Sequence, residues 1–397
     1  MERRTVTRRH FMKSSAAGMA GMVCLPSALD ARVGDQGEGA LVYRTLGRTG
    51  MRVPVIGMGI LSAGTPQLIH AALDAGITHF DSTAAQPQQA RNEEMIGEVM
   101  KGRPRDSFIY GTKIHLPQDH TTGLYRSAAT EEKFTRQLDV VLQNLQMDYV
   151  DIVYHHMISQ RESAFHEPAM NAMVKAKEAG KARFLGMTTH ANVPEAINAA
   201  VDSEFYEVVM ASYNPRQNNV AEVKEAIARA AGAGLGVVAI KVIRGNVNQE
   251  EGPVDARASL RWVLHDTNVH ATIPGFGTFD EMNTDLSVME DLRLTEAELS
   301  NLNRLASGPH LFCQGCGQCL GQCVGELPIP DLMRSYMYAY GYREPVLAHC
   351  VLKSLELPRN VCGDCSSCPV ECQNGWNVAE RVRDIVRLRD ARSSVVA

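Results

Sequence analysis

Along residues 41–307, short runs of β-branched and other apolar residues alternate with longer segments whose apolar positions recur every three to four residues. Runs of the first kind predict buried strands, and segments of the second kind, such as 129–145 and 220–234, predict helices. Eight strand–helix units predict a (β/α)8 barrel over residues 43–307, with its functional groups at the carboxyl ends of the strands. The predicted strands are 53–60, 77–82, 108–113, 149–155, 182–188, 207–212, 236–242 and 270–275.

An open, doubly wound sheet is the alternative fold for such alternation. That fold commonly carries G-x-G-x-x-G between its first strand and its first helix. No such motif opens a helix after strand 53–60, so the barrel is favoured.

Polar residues that suit proton transfer stand at the ends of three successive predicted strands. Asp81 ends the second strand, Lys113 ends the third, and His155 and His156 end the fourth. Because side chains alternate along a strand, only one of the two histidines faces the barrel interior. Each residue alone has an ordinary structural explanation, as a helix cap, a solvated amine or a hydrogen-bonded imidazole. Together, at one barrel mouth, they predict a proton-relay site.

Eight of the ten cysteines form two runs with the same spacing, C-x-x-C-x-x-C-x-x-x-C. Three thiolates at this spacing can bind three corners of a cubane iron–sulfur cluster, while the fourth ligates the other cluster. The spacing therefore predicts two 4Fe–4S clusters, with one ligand exchanged between the runs. The first cluster is predicted on Cys313, Cys316, Cys319 and Cys372, and the second on Cys362, Cys365, Cys368 and Cys323.

Zinc and disulfides are weaker explanations of the two cysteine runs. Zinc prefers two separated C-x-x-C pairs and would leave cysteines over. Disulfides suit an exported chain, but cysteines spaced so tightly make poor partners for one another. Of the two remaining cysteines, Cys24 lies in the N-terminal segment, and Cys350 is interpreted as a buried helix residue and not as a ligand.

The segment between the two runs predicts two helices, 330–341 and 345–357. Neither run has the proline that follows the fourth cysteine in bacterial ferredoxins. Residues 308–376 are therefore predicted to form a small helical dicluster domain, followed by a C-terminal helix and tail over 377–397.

Residues 1–31 predict an export signal. Arg8 and Arg9 lie in T-R-R-x-F-M-K, followed by a mildly apolar stretch, 16–25. This pattern is typical of a twin-arginine signal, an address read by the export machinery, and residues 32–42 are interpreted as a linker. The alternative is an ordinary basic tail. The signal predicts a periplasmic or exported protein that receives its clusters in the reducing cytosol, with the signal either cleaved or kept as a membrane anchor.

Composition and charge narrow the classes of partner. The chain is 45% hydrophobic, which allows a sizeable core, and it carries a net charge of -5. No basic stripe with interleaved aromatic residues is present, so nucleic acid is not an expected partner. A small-molecule substrate and a redox partner protein are the expected classes.

Several segments resemble landmarks of the aldo-keto reductase family. YRTLGRTGMRVPVIGMG is similar to the opening hairpin and first strand of that family, and GITHFDSTAA, IYGTK and LQMDYVDIVYHH are similar to its next three strands. SYNPRQ, GLGVVAIKV and RWVLHDTNVHATIPG are similar to later landmarks. The resemblance covers residues 43 to about 290 and continues through the cysteine segment to about residue 376, as in exported members with a dicluster module.

The resemblance implies hydride transfer between a nicotinamide cofactor and a carbonyl group, with a tyrosine as proton donor. A lysine, a histidine and an aspartate assist, and Asp81, Lys113 and His156 match these three positions. The tyrosine position falls on Gln86, or on Pro87 if the loop carries an insertion, and neither is a tyrosine. The amide of Gln86 has no proton that titrates near neutral pH. Another group, such as a protonated His156 or Tyr125, must then supply the proton.

The resemblance also places the nicotinamide of NADP(H) near Thr188, Thr189, Tyr213 and Gly275. Asp285 stands where the family commonly has asparagine beside the 2′-phosphate. A carboxylate repels a phosphate, so this position disfavours NADPH.

Two functions stay open from the sequence. The first is an oxidoreductase that reduces a carbonyl substrate with NADP(H), with electrons relayed by the clusters, or with both. The second is a catalytically altered barrel that serves a partner enzyme as an electron-transfer or binding subunit. The retained Asp81, Lys113 and His156 favour the first function, and the missing tyrosine favours the second. The predicted fold does not decide between them, because a fold alone does not fix a function.

Overall fold

The computed structural model describes residues 41–63, 65–83, 87–217, 219–243, 255–307, 313, 315–341, 343–363 and 365–391. The predicted export signal, most of the predicted linker and Gln86 lie outside these residues. Within the described ranges, no helix combines the length and the apolar character that crossing a membrane requires.

Eight parallel strands form the central sheet, each paired with its neighbours in the sequence. A short antiparallel hairpin precedes them, made by β1 (Tyr43–Thr45) and β2 (Arg52–Pro54). All eight predicted strands are confirmed, with ends that differ from the predicted ones. The first and last are cut to two residues each, whereas three others run one residue further than predicted. The sheet strands are β3 (Met58–Gly59), β4 (His79–Thr83), β5 (Ile109–Ile114), β6 (Val150–His155), β7 (Ala182–Thr189), β8 (Val208–Ser212), β9 (Gly236–Ile240) and β10 (Ala271–Thr272).

Hydrogen bonds between the first and last strands close this sheet. Gly57 N–H donates to Thr272 O at 2.8 Å, Thr272 N–H donates to Val55 O at 2.8 Å, and Gly59 N–H donates to Pro274 O at 3.0 Å. The predicted (β/α)8 barrel is therefore confirmed. Because the strands are parallel, their carboxyl ends surround a single barrel mouth.

Amphipathic helices cover the outside of the barrel. Before α3, Thr130 Oγ1 accepts the Lys133 N–H at 3.2 Å and so caps the free amides of the first turn. The same helix buries Phe134, Leu138 and Leu145, which recur at helical spacing, against the barrel. The helices up to the cysteine segment are α1 (Pro66–Asp74), α2 (Pro87–Met100), α3 (Glu131–Leu145), α4 (Arg161–Ala164), α5 (Glu167–Glu178), α6 (Val193–Ser203), α7 (Val220–Gly232), α8 (Ala256–His265), α9 (Phe279–Glu290) and α10 (Glu296–Ser307).

The cysteine segment folds around a small core of its own, and it belongs to the same compact unit as the barrel. Leu332, Leu352, Val382 and Ile385 are fully buried there. Burying one such side chain contributes about 1.5–3 kcal/mol relative to leaving it exposed. The two helices predicted between the cysteine runs and the helix predicted after them are confirmed. They are α11 (Ile329–Tyr336), which continues into a π-helical turn (Met337–Gly341), α12 (Pro345–Ser354) and α13 (Val378–Ile385) with a final 3-10 turn (Val386–Asp390).

Candidate functional site

A cavity of about 780 Å3 opens at the barrel mouth. It is lined both by residues that follow the barrel strands and by residues of α11, the π-helical turn and α12. The cysteine segment therefore forms part of the wall of the barrel's own pocket. The polar lining residues used below are Asp81, Lys113, His115, His156, His190, Lys241, Arg334 and Tyr338.

Asp81 and Lys113 form a buried ion pair on neighbouring strands. Lys113 Nζ contacts Asp81 Oδ2 and also donates to Ser82 O at 3.1 Å. A Cβ at Gly111, which pairs with Asp81 in the sheet, would lie 2.9 Å from Tyr154 Cε2 and 3.2 Å from Asp81 Oδ1. Glycine there leaves room for both side chains. Burial lowers the pKa of Lys113 to about 7. The amine can therefore both give and take a proton near neutral pH.

His156 lies at the pocket, whereas His155 is buried behind it. His156 Nδ1 lies 2.7 Å from Thr188 Oγ1, which leaves Nε2 for a ligand. The neighbouring His155 instead places Nδ1 3.0 Å from the Tyr206 hydroxyl. Burial, followed by the nearby His115 and Lys113, holds the pKa of His156 well below its usual range. The imidazole is therefore neutral at physiological pH, so it is a hydrogen-bonding group and not the protonated acid considered from the sequence.

Tyr125, the other proton donor considered from the sequence, does not line the pocket. Its hydroxyl donates to the backbone carbonyl of His156 at 2.9 Å, and its ring stacks on His155 with centroids 4.9 Å apart. Burial raises the pKa of this phenol well above its usual range. Tyr125 therefore supports the loop of His156 from behind the pocket wall.

Two further pocket residues were missed by the sequence reasoning. Lys241 directly follows β9, and its Nζ donates to the Tyr338 hydroxyl at 3.1 Å. Lys241 has a left-handed backbone (φ 57°), a conformation that non-glycine residues adopt mainly where function or packing demands it. Its place at a strand end could have revealed it by the same argument as Lys113. Tyr338 carried no such signal, because it reaches the pocket from another part of the chain.

Of the four residues predicted to surround the nicotinamide, one lines the pocket and three do not. Gly275 lines the pocket, but Thr188, Thr189 and Tyr213 do not. The Thr188 hydroxyl is bonded to His156, and the Thr189 hydroxyl donates to Ala191 O at 2.9 Å. The Tyr213 ring packs on Trp262 with centroids 5.0 Å apart, and its hydroxyl points to Asp266 Oδ2 at 3.5 Å. These three side chains are already engaged within the barrel wall.

The end of the pocket expected to take the 2′-phosphate of NADPH is acidic. Glu281 Oε2 accepts the Gly277 N–H at 2.8 Å, so the protein's own carboxylate uses a backbone donor that could serve a phosphate. Asp285 is buried on α9, and burial together with Glu281 raises its pKa to about 8. Because this pKa leaves Asp285 largely protonated near neutral pH, the charge repulsion expected from the sequence is weak there. The poor fit to a 2′-phosphate comes instead from the Glu281 carboxylate, which already accepts the Gly277 N–H.

Each predicted set of four cysteines lines a cavity of its own. The Cys372 thiol lies close enough to Cys319, in the first run, to influence its ionisation. Burial, followed by the neighbouring thiols, raises the pKa of Cys319 to about 12. Cys323 is related in the same way to Cys362, whose pKa burial and neighbouring thiols also raise. The described chain thus brings the fourth cysteine of each run to the other run. One cavity is lined by Cys313, Cys316, Cys319 and Cys372, and the other by Cys323, Cys362, Cys365 and Cys368.

The described cysteines are all free thiols, so the disulfide alternative is not realised among them. In the part of the chain that the structure describes, no three His, Cys, Asp or Glu side chains converge closely enough to hold a single metal ion. Cys350 lies on α12, as predicted, but it is half-buried and not buried, and it lines neither cysteine cavity.

Comparison with known proteins identifies the barrel. Residues 63–253 match the Aldo/keto reductase family. Just under half of the chain therefore forms an aldo-keto reductase-like domain. The match ends before the cysteine runs begin, so it does not extend to the cluster prediction.

Curated relatives of the aldo-keto reductase domain align over part of their length. The chain is 29% identical to L-glyceraldehyde 3-phosphate reductase of Escherichia coli K12 over 176 residues, which is 41% of this chain and 49% of that protein. It is 32% identical to the aldo-keto reductase yakc [NADP(+)] of Schizosaccharomyces pombe over 149 residues, 34% of this chain and 42% of that protein. The alignments thus span about half the length of these relatives.

Solved structures share the fold of the aldo-keto reductase domain. The aldo-keto reductase AKR11C1 from Bacillus halodurans superposes with a TM-score of 0.56 at 20% identity, over 70% of this chain and 99% of that one. The thermostable aldo-keto reductase Tm1743 gives a TM-score of 0.53 at 20% identity, over 67% of this chain and 100% of that one. At this identity the likeness establishes the fold alone.

The first cysteine run contacts the aldo-keto reductase domain beside the pocket. Gly315 O accepts the Asn192 N–H, and a Cβ on Gly315 would lie 2.5 Å from His190 O. His190 lines the pocket and packs edge-on against His156, with ring centroids 5.6 Å apart. A continuous set of contacts therefore joins the Cys313–Cys316 loop to the pocket.

Substitution of Gly315 by alanine is expected to weaken this junction. The new Cβ would meet His190 O, and Gly315 has a left-handed backbone (φ 61°), so we expect a loss of about 1–3 kcal/mol in the free energy of unfolding. Gly321→Ala is the matched control, because Gly321 is also left-handed (φ 69°) but has open space around its Cβ position. Denaturant unfolding of both variants measures the difference. Equal losses would mean that the close contact with His190 contributes nothing.

Proposed function

We propose that this chain is an iron–sulfur oxidoreductase that reduces a small carbonyl compound in the barrel-mouth pocket, with electrons relayed by two 4Fe–4S clusters. One observation carries the proposal: the pocket is lined by Asp81, Lys113 and His156 of the barrel and, at the same time, by α11 and α12 of the cysteine segment. Substrate and clusters then belong to one site, and not to two independent modules.

The cysteine sets fit the two clusters. Each set supplies four thiols around one cavity, which is the number of ligands that a cubane cluster takes. A cubane spreads its ligands over four irons, whereas a zinc ion requires its four ligands to meet at one point. The cysteine spacing, in which three thiols of one run and a fourth from the other run line one cavity, therefore favours clusters over zinc.

Reduction of a carbonyl group to an alcohol consumes two electrons and two protons. The clusters, when bound, supply the electrons one at a time from a reduced donor. Lys113 supplies a proton, because its lowered pKa suits proton exchange near neutral pH. Asp81 fixes the amine in place, and Nε2 of His156 orients the carbonyl oxygen by a hydrogen bond.

The donor in this proposal is a one-electron carrier, such as a redox partner protein, and not NADPH. The Glu281 carboxylate, which already accepts the Gly277 N–H, does not fit a 2′-phosphate at this position, and the side chains expected around the nicotinamide are engaged elsewhere. No step therefore passes through a nicotinamide.

The proposal includes export by the twin-arginine route, on the basis of Arg8 and Arg9. This route carries folded proteins, so the clusters are inserted before translocation. Replacing both arginines by lysine should leave the cluster-loaded protein in the cytoplasm when cells are fractionated. Unchanged export of that variant would remove this part of the proposal.

The function is tested by anaerobic turnover of the cluster-loaded chain with reduced methyl viologen and a panel of small aldehydes and ketones. We expect carbonyl-dependent oxidation of the dye, with two dye molecules consumed for each alcohol formed. Lys113→Met should lower the rate about 100-fold or more, whereas Lys101→Met, which alters an exposed lysine, should leave it unchanged. Clusters that accept electrons but pass none to any carbonyl would instead indicate an electron-transfer subunit.

A further inference from the structure

We infer that Tyr338, supplied by the cysteine segment, donates a proton to the substrate oxygen in the barrel pocket. This inference rests on the proposed function and names the acid that the barrel itself lacks. No tyrosine stands between Ser82 and Met100, where the family resemblance places the proton donor. The cysteine segment would then complete the active site besides carrying electrons to it.

The position of Tyr338 carries the inference. It lies in the π-helical turn after α11 and lines the same cavity as Lys113 and His156. Its hydroxyl accepts the Lys241 Nζ hydrogen bond at 3.1 Å, and Lys241 Nζ lies 5.4 Å from the centre of its ring. Among the described residues that line the cavity, Tyr338 is the only tyrosine. Tyr338 is partly buried, whereas the fully buried tyrosines are packed inside the barrel and do not line the cavity; these are Tyr110, Tyr154, Tyr206 and Tyr213.

The charges around Tyr338 favour release of its proton. Burial and the nearby Cys313 raise the pKa of the phenol, but Lys241 and Arg334 outweigh them and lower it below the usual tyrosine value. Lys241 is the closer of these cations, because it also donates a hydrogen bond to the phenol oxygen. A phenolate formed at this position is therefore stabilised, which a proton donor needs after it has reacted.

The chemical step balances with the groups present. The two electrons would come from the reduced donor by way of the clusters that the two cysteine sets would hold. The phenol of Tyr338 protonates the carbonyl oxygen, and the Lys113 ammonium supplies the proton for the carbon. The C=O double bond becomes a C–O single bond with new C–H and O–H bonds. The phenolate, held by Lys241, and the neutral Lys113 amine then regain their protons from water at the open pocket.

A first test needs no substrate. The tyrosinate absorbance of the cluster-loaded chain is titrated with base, and the curve of Tyr338→Phe is subtracted to isolate Tyr338. We expect ionisation below the ordinary tyrosine pKa of about 10, and a shift above that value in Lys241→Met. Tyr340→Phe is the control, because Tyr340 is two residues away, more exposed, and has its pKa raised to about 12. A Tyr338 that ionises at or above the ordinary value in the native chain overturns the inference.

A second test uses the dye-linked carbonyl turnover. Tyr338→Phe should lower kcat about 100-fold with little change in KM, and it should remove the limb of the pH–rate profile that reports the phenol, whereas Tyr340→Phe should match the native chain. Native rates and pH profile in Tyr338→Phe overturn the inference while leaving the proposed function intact. If the native chain turns over no carbonyl at all, the proposed function fails, and the absorbance titration still decides whether Tyr338 is a proton-releasing group.

Discussion

Replacing Cys372 with alanine is expected to abolish the cluster assigned mainly to the first cysteine run, although Cys372 belongs to the second run. The reason is that Cys372 lines the cavity of Cys313, Cys316 and Cys319. Cys323→Ala is expected to have the reciprocal effect, because Cys323 lines the cavity of the second set. Each variant should lose about half of the bound iron, since each 4Fe–4S cluster takes four cysteine ligands.

Iron analysis and electron paramagnetic resonance of the reduced chain measure this effect. Each variant should keep the signal of one cluster and lose that of the other, and the two lost signals should differ. Cys350→Ala is the control and should keep both, because Cys350 lines neither cavity. If Cys372→Ala and Cys323→Ala each lose the cluster of their own run, the exchange of ligands is wrong. Bound zinc in place of iron would contradict the clusters themselves.

The second large effect is expected for the ion pair at the base of the pocket. Lys113→Met should lower the free energy of unfolding by about 3–5 kcal/mol, because it leaves the Asp81 carboxylate buried without its partner. The double variant Asp81→Leu with Lys113→Met should recover most of that loss, since it removes both charges. Denaturant unfolding of the two variants and the native chain measures these values.

Stability and carbonyl turnover, measured on the same variants, separate the structural role of the Asp81–Lys113 ion pair from its chemical role. Lys101→Met should stay within about 0.5 kcal/mol of the native chain, because Lys101 is exposed. A double variant that is as stable as the native chain but turns over no carbonyl would show that the pair is retained for chemistry. A loss below about 1 kcal/mol in Lys113→Met would contradict the buried, mutually dependent pair described here.

The barrel and three of its pocket residues could be predicted from the sequence because local patterns encode them. Apolar runs fixed the eight strands, and Asp81, Lys113 and His156 stand at the ends of three of them. The choice of His156 over His155 followed from the family resemblance, and His156 lines the pocket whereas His155 does not. The grouping of the cysteines also came from spacing alone, and the two cavities follow the same grouping.

The rest of the site depends on contacts between distant parts of the chain, which no local pattern reports. Tyr338 meets Lys241 across 97 positions of sequence. Thr188 was expected to bind a carboxamide, but its hydroxyl bonds to His156 on the neighbouring strand, a pairing that only the three-dimensional register reveals. Tyr125 was considered as a proton donor because of its chemistry, but its hydroxyl is held by the His156 carbonyl.

The shared pocket changes how the missing tyrosine is understood. Loss of that residue from the barrel alone suggested lost catalysis, whereas the wall supplied by the cysteine segment brings the phenol of Tyr338 and the cation of Arg334 to the same cavity, beside Lys241 of the barrel. The barrel and the cysteine segment are therefore expected to depend on each other for activity.

The most direct test of this account is an anaerobic titration of the cluster-loaded chain with NADPH, then NADH, and finally reduced viologen, followed by cluster absorbance and nicotinamide fluorescence. The account predicts that neither nucleotide binds or bleaches the clusters, that viologen bleaches them, and that a carbonyl substrate restores the absorbance. Tight NADPH binding with bleaching of the clusters would contradict this account and would mean that the barrel uses a nicotinamide cofactor as its electron donor.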